Sequence, residues 1–148
     1  MRKIAATYIF PGNGKPLKNG ILVCENDGTV VEVIDTSGVL TEQAGLEFYS
    51  GILVPGFVNT RCHLGSDSLA LNHQRSIFAE MLVFQQNSPE LTLEELIKRV
   101  CFNSAQALKI DDRAGSFEKG KKPGVNLISG IDFKNMKLTG NSKIKRLI

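Results

Sequence analysis

No run in this sequence approaches the ~18 apolar residues of a membrane-spanning helix, so no membrane partner is expected. Charge of one sign is also scarce. Against 15 Asp and Glu stand 18 Lys and Arg, a formal surplus of +3. That is too small to imply a nucleic-acid partner, and the basic C-terminus (Lys143, Lys145, Arg146) reads as a solvated strand face. Cysteine is limited to Cys24, Cys62 and Cys101, which are widely separated and lack a CxxC spacing. An odd, unpatterned set excludes a disulfide framework and points to reduced thiols in a cytoplasmic protein. The N-terminal run is short and stops at Pro11-Gly12, so no secretory leader is expected. Histidine is limited to His63 and His73. Length is limited as well: 148 residues suit one ordinary domain. A (β/α)₈ barrel takes about 250.

What is present is globular, with 42% hydrophobic and 22% charged residues. The first sixty residues read as strands punctuated by turns. Lys3 to Phe10 is one candidate, ending at Pro11-Gly12. Ile21 to Glu25 and Thr29 to Asp35 form a hairpin around Asn26-Asp27-Gly28, residues that tolerate positive φ. Gly45 to Ser50 and Ile52 to Val58 give two short strands, with Gly51 marking a break or bulge. Together they predict a β-meander forming one layer of a sandwich.

The period then changes. Ile77, Phe78, Met81, Leu82 and Phe84 recur at helical spacing between Asn72 and Gln86, with Gln74, Arg75, Glu80 and Gln85 between them. Thr92 to Glu95 spells a capping box, opening a helix that buries Leu93, Leu96, Ile97 and Val100. After Asp111-Asp112 strand signals return in Val125 to Ile128 and Ile144 to Ile148.

Gly115 to Lys121 matches the start of a phosphate-loop pattern. Lys122 stands where a metal-binding hydroxyl is needed, and Pro123-Gly124 prevents the following helix, so a basic β-turn is the reading. Gly12-Asn13-Gly14 is a turn. The run Pro55-Gly56-Phe57-Val58-Asn59-Thr60-Arg61-Cys62-His63-Leu64 is more specific. It reads as a buried strand whose end presents Arg61 and His63 on one face. Two histidines so placed would suit zinc or iron, but Arg61 cannot ligate a metal. On spacing alone, His63 reads more readily as a satisfied strand-end histidine, and Asp67 as a turn or helix-start aspartate.

These residues nevertheless resemble the amidohydrolase superfamily, in its chlorohydrolase and cytosine-deaminase-like branch. There a PGF(V/I)N run leads into a His-x-His metal motif; His63 falls on the second histidine and Arg61 on the first. Gly65-Ser66-Asp67 resembles the Gly-Thr/Ser-Asp of the last barrel strand, which implies a metal-binding, proton-shuttling role for Asp67. Gly115 to Ile128 resembles the closing strands. The likeness covers nearly the whole chain as two ends joined near Leu64 and Gly65, without barrel strands two to seven. The later histidines and the acid/base glutamate go with those strands, and His73 matches no ligand position.

The fold expected is therefore mainly β with a helical insertion (α+β). It is a composite β-sandwich over residues 1–148 with no complete barrel. Residues 1–64 form its β-rich N-terminal segment, residues 65–110 a helical segment, and residues 111–148 a β-rich C-terminal segment. The resemblance implies a parent hydrolase that uses zinc or iron to cleave a C–N or C–Cl bond, by deamination or dechlorination. His63 and Asp67 would remain as metal remnants, with Asp67 as the catalytic remnant. Neither cofactor nor catalysis is expected of this chain, because two such ligands do not make a site. A site shared between chains through both residues is a third, weaker reading. The alternative from another class is a stand-alone interaction module. Ile77, Phe78 and Leu82, released from a barrel, are expected to be exposed and to favour a homodimer.

Overall fold

The computed structural model describes residues 1–58 and 71–148, with side chains from residue 74 onward in the second stretch. In chain order the strands are β1 (Arg2–Ile9), β2 (Leu17–Lys18), β3 (Ile21–Cys24), β4 (Val30–Ile34) and β5 (Leu46–Pro55). Helices α1 (Leu71–Asn87), α2 (Leu93–Lys98) and α3 (Ser104–Ala107) follow, the last two joined by a π-turn over Arg99–Asn103. Strands β6 (Val125–Ser129) and β7 (Lys143–Arg146) complete the order. Among the described residues no helix is long and apolar enough to cross a membrane.

Local chemistry explains most of these elements. At the β3–β4 turn the Asp27 carboxylate accepts from the Thr29 amide at 2.9 Å, and Gly28 takes φ 93°. Both are what an Asn-Asp-Gly hairpin requires. Helix α2 opens on the capping box read from the sequence: the Thr92 hydroxyl accepts from the Glu95 amide at 3.1 Å, and the Glu95 carboxylate accepts from the Thr92 amide.

All the strands join one mixed, seven-stranded sheet in the order β4-β3-β1-β5-β6-β7, with β2 paired beside β1. Among the described residues the architecture is mainly β, with helices on the sheet and no closed barrel. The expected meander holds only through β4. β5 then crosses back to lie parallel to β1, because its second half is apolar on both faces and needs a central position. β5 is also one strand where two short ones were expected. The break at Gly51 is a bulge: Ala6 pairs with Tyr49 but Tyr8 pairs with Ile52, leaving one extra residue on β5. Gly51 sits at φ 139° and donates its amide to the Thr7 hydroxyl. A Cβ there would run into the Ile128 carbonyl, so only glycine lets β6 approach.

Through β5 the two ends of the chain become one layer, with Ile52 opposite Ile128 and Pro55 opposite Val125. One core cluster mixes Ile4, Leu22 and Val30 from the N-terminal strands with Leu53, Val125 and Leu127. The wings of the sheet therefore share an interior. β4 is further tied to the later turn, its Val30 amide donating to Lys121 O at 2.8 Å and its carbonyl accepting from Gly120 N at 2.9 Å.

Another cluster sets Phe10, Ile52, Val54 and Ile128 beneath the helices. Here the structure corrects the expected exposed patch. Ile77 and Phe78 are buried against the sheet and Leu82 is half-buried, since the sheet offers the apolar cover that a barrel was expected to provide. Among the described side chains of α1, the large apolar ones left exposed are Val83 and Phe84.

An ion pair closes the N-terminal edge of this arrangement. Arg2 on β1 grips Glu47 on β5 with two bonds of 3.0 Å, and Tyr49 adds a third to the same carboxylate. A further Arg2 nitrogen donates to Leu147 O at 3.3 Å. The hydrogen bonds from Arg2 hold the Glu47 carboxyl below its ordinary range. A depressed carboxylate stabilises the fold above its unfolded-state pKa and loses that contribution as pH falls through the folded value. Wild-type protein is thus expected to unfold at higher urea than Glu47→Gln at neutral pH. The gap should narrow as pH falls below the ordinary carboxylate range. A gap independent of pH in paired urea titrations contradicts this role.

Candidate functional site

The chemistry-bearing stretch begins where β5 ends, and there the backbone makes an unusual set of bonds. Beyond Pro55 the chain leaves the sheet, yet Phe57 and Val58 stay buried. Their polar groups therefore need partners from elsewhere. Gly56 N donates to Gly124 O at 3.2 Å, and Val58 N to Val100 O at 2.7 Å. Val100 lies in the π-turn, whose widened geometry accompanies the hand-over of its carbonyl to another segment. The Cys101 thiol donates to Pro55 O at 3.5 Å.

Phe57 is held by a side chain acting as a strand neighbour. Gln74, fully buried near the start of α1, accepts from Phe57 N at 2.6 Å and donates to Phe57 O at 2.7 Å. The same Gln74 oxygen accepts from the Asn126 amide of β6 at 2.8 Å. One side chain thus joins the β5 exit, α1 and β6. Gln85 repeats the device farther along α1, accepting from Leu138 N at 3.0 Å and donating to Leu138 O at 2.8 Å. Neither glutamine was marked as special in the sequence, where both read as polar spacers. A signal existed: Gln74 stands three and four residues before Ile77 and Phe78, so it falls on the buried stripe of the helix.

The residues expected to carry metal chemistry are not placed by this geometry. Arg61, His63 and Asp67 lie outside the described residues, and so does the side chain of His73. Among the described residues no group of three or more His, Cys, Asp and Glu could hold a metal ion. The two described cysteines do not offer thiolates. Burial pushes the Cys101 thiol far up, and it pushes Cys24 up as well despite nearby Arg2. The donors on view do not compose a zinc or iron site.

The phosphate-loop look-alike is likewise spent on structure. Lys121 is buried and donates to the Ser116 hydroxyl at 2.8 Å and to Glu118 at 3.2 Å. Ser116 in turn donates to Glu118 at 2.9 Å, and this bond leads the effects that hold the Glu118 carboxyl below its ordinary range. Lys121 also stands 5.6 Å from the Phe102 ring centre. The turn is the basic β-turn that the sequence suggested, and its backbone serves as an extra partner for β4.

Comparison with known proteins agrees with the motif reading at the level of family. The sequence model of the amidohydrolase family matches residues 57–147, more than half of the chain. The chain belongs to the amidohydrolase family. Among solved structures it is similar to the crystal structure of A. niger ochratoxinase, at 26% identity and a TM-score of 0.33. That match covers 53% of this chain and 19% of the ochratoxinase chain. None of the curated proteins compared with the chain matches it.

Replacing Gln74 tests the clamp. Gln74→Ala leaves the Phe57 N–H and C=O and the Asn126 amide without their buried partner, and is expected to cost about 3 kcal/mol. Ser76→Ala, two residues on and exposed, is expected to change stability by less than about 0.5 kcal/mol. Urea unfolding of both variants checks this, and a Gln74→Ala value near that of Ser76→Ala contradicts the role.

Proposed function

We propose that this chain is a non-catalytic, β-rich portion of a metal-dependent amidohydrolase, acting as one composite domain over residues 1–148. The observation that carries the reading is the donor inventory. Two histidines serve the entire sequence, and an arginine, Arg61, occupies the position of one expected ligand. Zinc sites that do chemistry are built from three protein ligands with an open position. His63 and Asp67 alone fall short of that count.

The described surroundings support the same reading. The stretch that leads toward His63 spends its polar groups on Gln74, Gly124 and Val100, which gives it a structural task in this chain. The parent reaction we assign from the motifs is hydrolysis of a C–N or C–Cl bond, by deamination or dechlorination of a nitrogen heterocycle. Zinc or iron would serve the parent as the metal. Reduced, buried thiols support a cytoplasmic setting.

The test uses the purified chain. Elemental analysis is expected to find zinc and iron well below one per chain, with no turnover of aminated or chlorinated nitrogen heterocycles above a metal-only control. One bound metal per chain, together with turnover abolished by His63→Ala, overturns the proposal.

A further inference from the structure

The chain contains two Asn-Gly pairs, Asn13-Gly14 and Asn19-Gly20, and the fold treats them differently. An asparagine followed by glycine is the reactive arrangement for loss of the side-chain amide, because no Cβ shields the glycine nitrogen from the asparagine Cγ. Asn19 is held at three points. Its main-chain N–H donates to Thr7 O at 2.9 Å, its carbonyl accepts from the Thr36 hydroxyl at 3.0 Å, and its side-chain amide donates to Gly38 O at 2.8 Å. Gly20 is buried, and a Cβ placed on it would lie 3.2 Å from the Ile9 and Leu17 side chains. Asn13 and Gly14 are both exposed. Among the described residues a single long bond reaches this pair, from the Asn13 side-chain amide to the Glu118 carboxylate at 3.5 Å, and the Gly14 N–H has no partner. Around Gly14 the described atom nearest to an added Cβ is on the Pro11 ring at 3.7 Å, so there is room for a ring to close.

We propose that Asn13 is a site of spontaneous deamidation to aspartate and isoaspartate, and that the fold protects Asn19 from the same reaction. The Gly14 nitrogen attacks Asn13 Cγ and forms the N–C bond of a succinimide ring. The Cγ–Nδ2 bond breaks, and Nδ2 leaves as ammonia with the proton that the Gly14 nitrogen gives up. Water then adds to either ring carbonyl. Opening on one side gives aspartate; opening on the other gives isoaspartate, whose main chain is longer by a carbon. Water is the one co-reactant. The position of Asn13 gives the change a consequence. Pro11 O accepts from Phe117 N at 3.0 Å, and Gly12 lies so close to the Gly115 carbonyl that a Cβ would collide with it. The turn carrying Asn13 therefore holds the later turn whose Gly120 and Lys121 backbone partners β4. Deamidation replaces a donor to Glu118 with a second carboxylate beside it, and the longer isoaspartyl chain shifts Gly12 against Gly115. Both changes loosen this junction.

Peptide mapping by mass spectrometry, on the full chain aged in mildly alkaline buffer, tests this. Trypsin cuts after Lys18, so the two pairs fall on separate peptides, and fragment spectra place each change on its residue. In the folded chain Asn13 is expected to convert roughly ten-fold or more faster than Asn19, which must first break its bonds in a local opening. In urea the two pairs should convert at similar rates. The peptide carrying Asn13→Gln, where ring closure needs a larger ring, should stay unchanged. Asn13→Asp mimics one product and is expected to unfold at lower urea than wild type at neutral pH. Equal rates at Asn13 and Asn19 in the folded chain overturn the proposal. So does an Asn13 that converts in urea but not when folded. An Asn13→Asp midpoint equal to that of wild type overturns the consequence assigned to it.

Discussion

The structure depends on where β5 lies. It is the strand on which the two ends of the chain meet, parallel to β1 on one side and antiparallel to β6 on the other. Residues 1–58 alone lack the β6 edge, and residues 71–148 alone keep only the short edge strand β7 beside β6. Apolar burial pins the pairing. Ile52, Leu53 and Val54 are fully enclosed, and so is Ile128 opposite them. Burying a side chain of this size is worth about 1.5–3 kcal/mol, and a one-residue slip would exchange Ile52 and Val54, packed under the helices, with Leu53, packed in the other cluster. Gly51 makes the geometry feasible by letting the Ile128 carbonyl come close and by absorbing the extra residue of the bulge.

The helices are positioned by the same strand. α1 is drawn onto the sheet by Ile77, Phe78 and Met81, and its long-range bonds come from glutamines that treat passing backbone as strand neighbours. Burial supplies most of the attraction and the glutamine bonds supply the orientation. An amide side chain has a donor and an acceptor spaced like those of a peptide group, so it satisfies Phe57 without a strand beside it. The π-turn after α2 meets the same exit through Val100 and Cys101. The stretch that resembles a metal motif thus begins inside a set of structural contacts.

What was legible in the sequence was local. The Asn26-Asp27-Gly28 hairpin, the Thr92–Glu95 capping box and the periodic helix around Ile77 all appear where their residues place them, because each is decided within a few positions. The β1–β5 parallel pairing was not legible, since it joins Lys3 to Leu46 across a crossover that no short pattern encodes. The burial of Ile77 and Phe78 was misread for a related reason: their cover comes from β5 and β6, far away in sequence. The family was legible from Pro55-Gly56-Phe57 and its continuation, and the family match over residues 57–147 agrees. The clamp at Gln74 escaped because a buried glutamine on an apolar stripe looks like an ordinary polar spacer until its backbone partner is known.

Native-state amide hydrogen exchange across β5 and β6 tests the central claim most directly. If β5 is the strand that unites both ends of the chain, the hydrogen-bonded amides within Ile52–Val54 and Val125–Ile128 exchange only through global unfolding. Their opening free energies then equal those of the β1–β3 pair. Exchange of the β6 amides at loop-like rates, while β1 and β3 remain protected, would contradict the account.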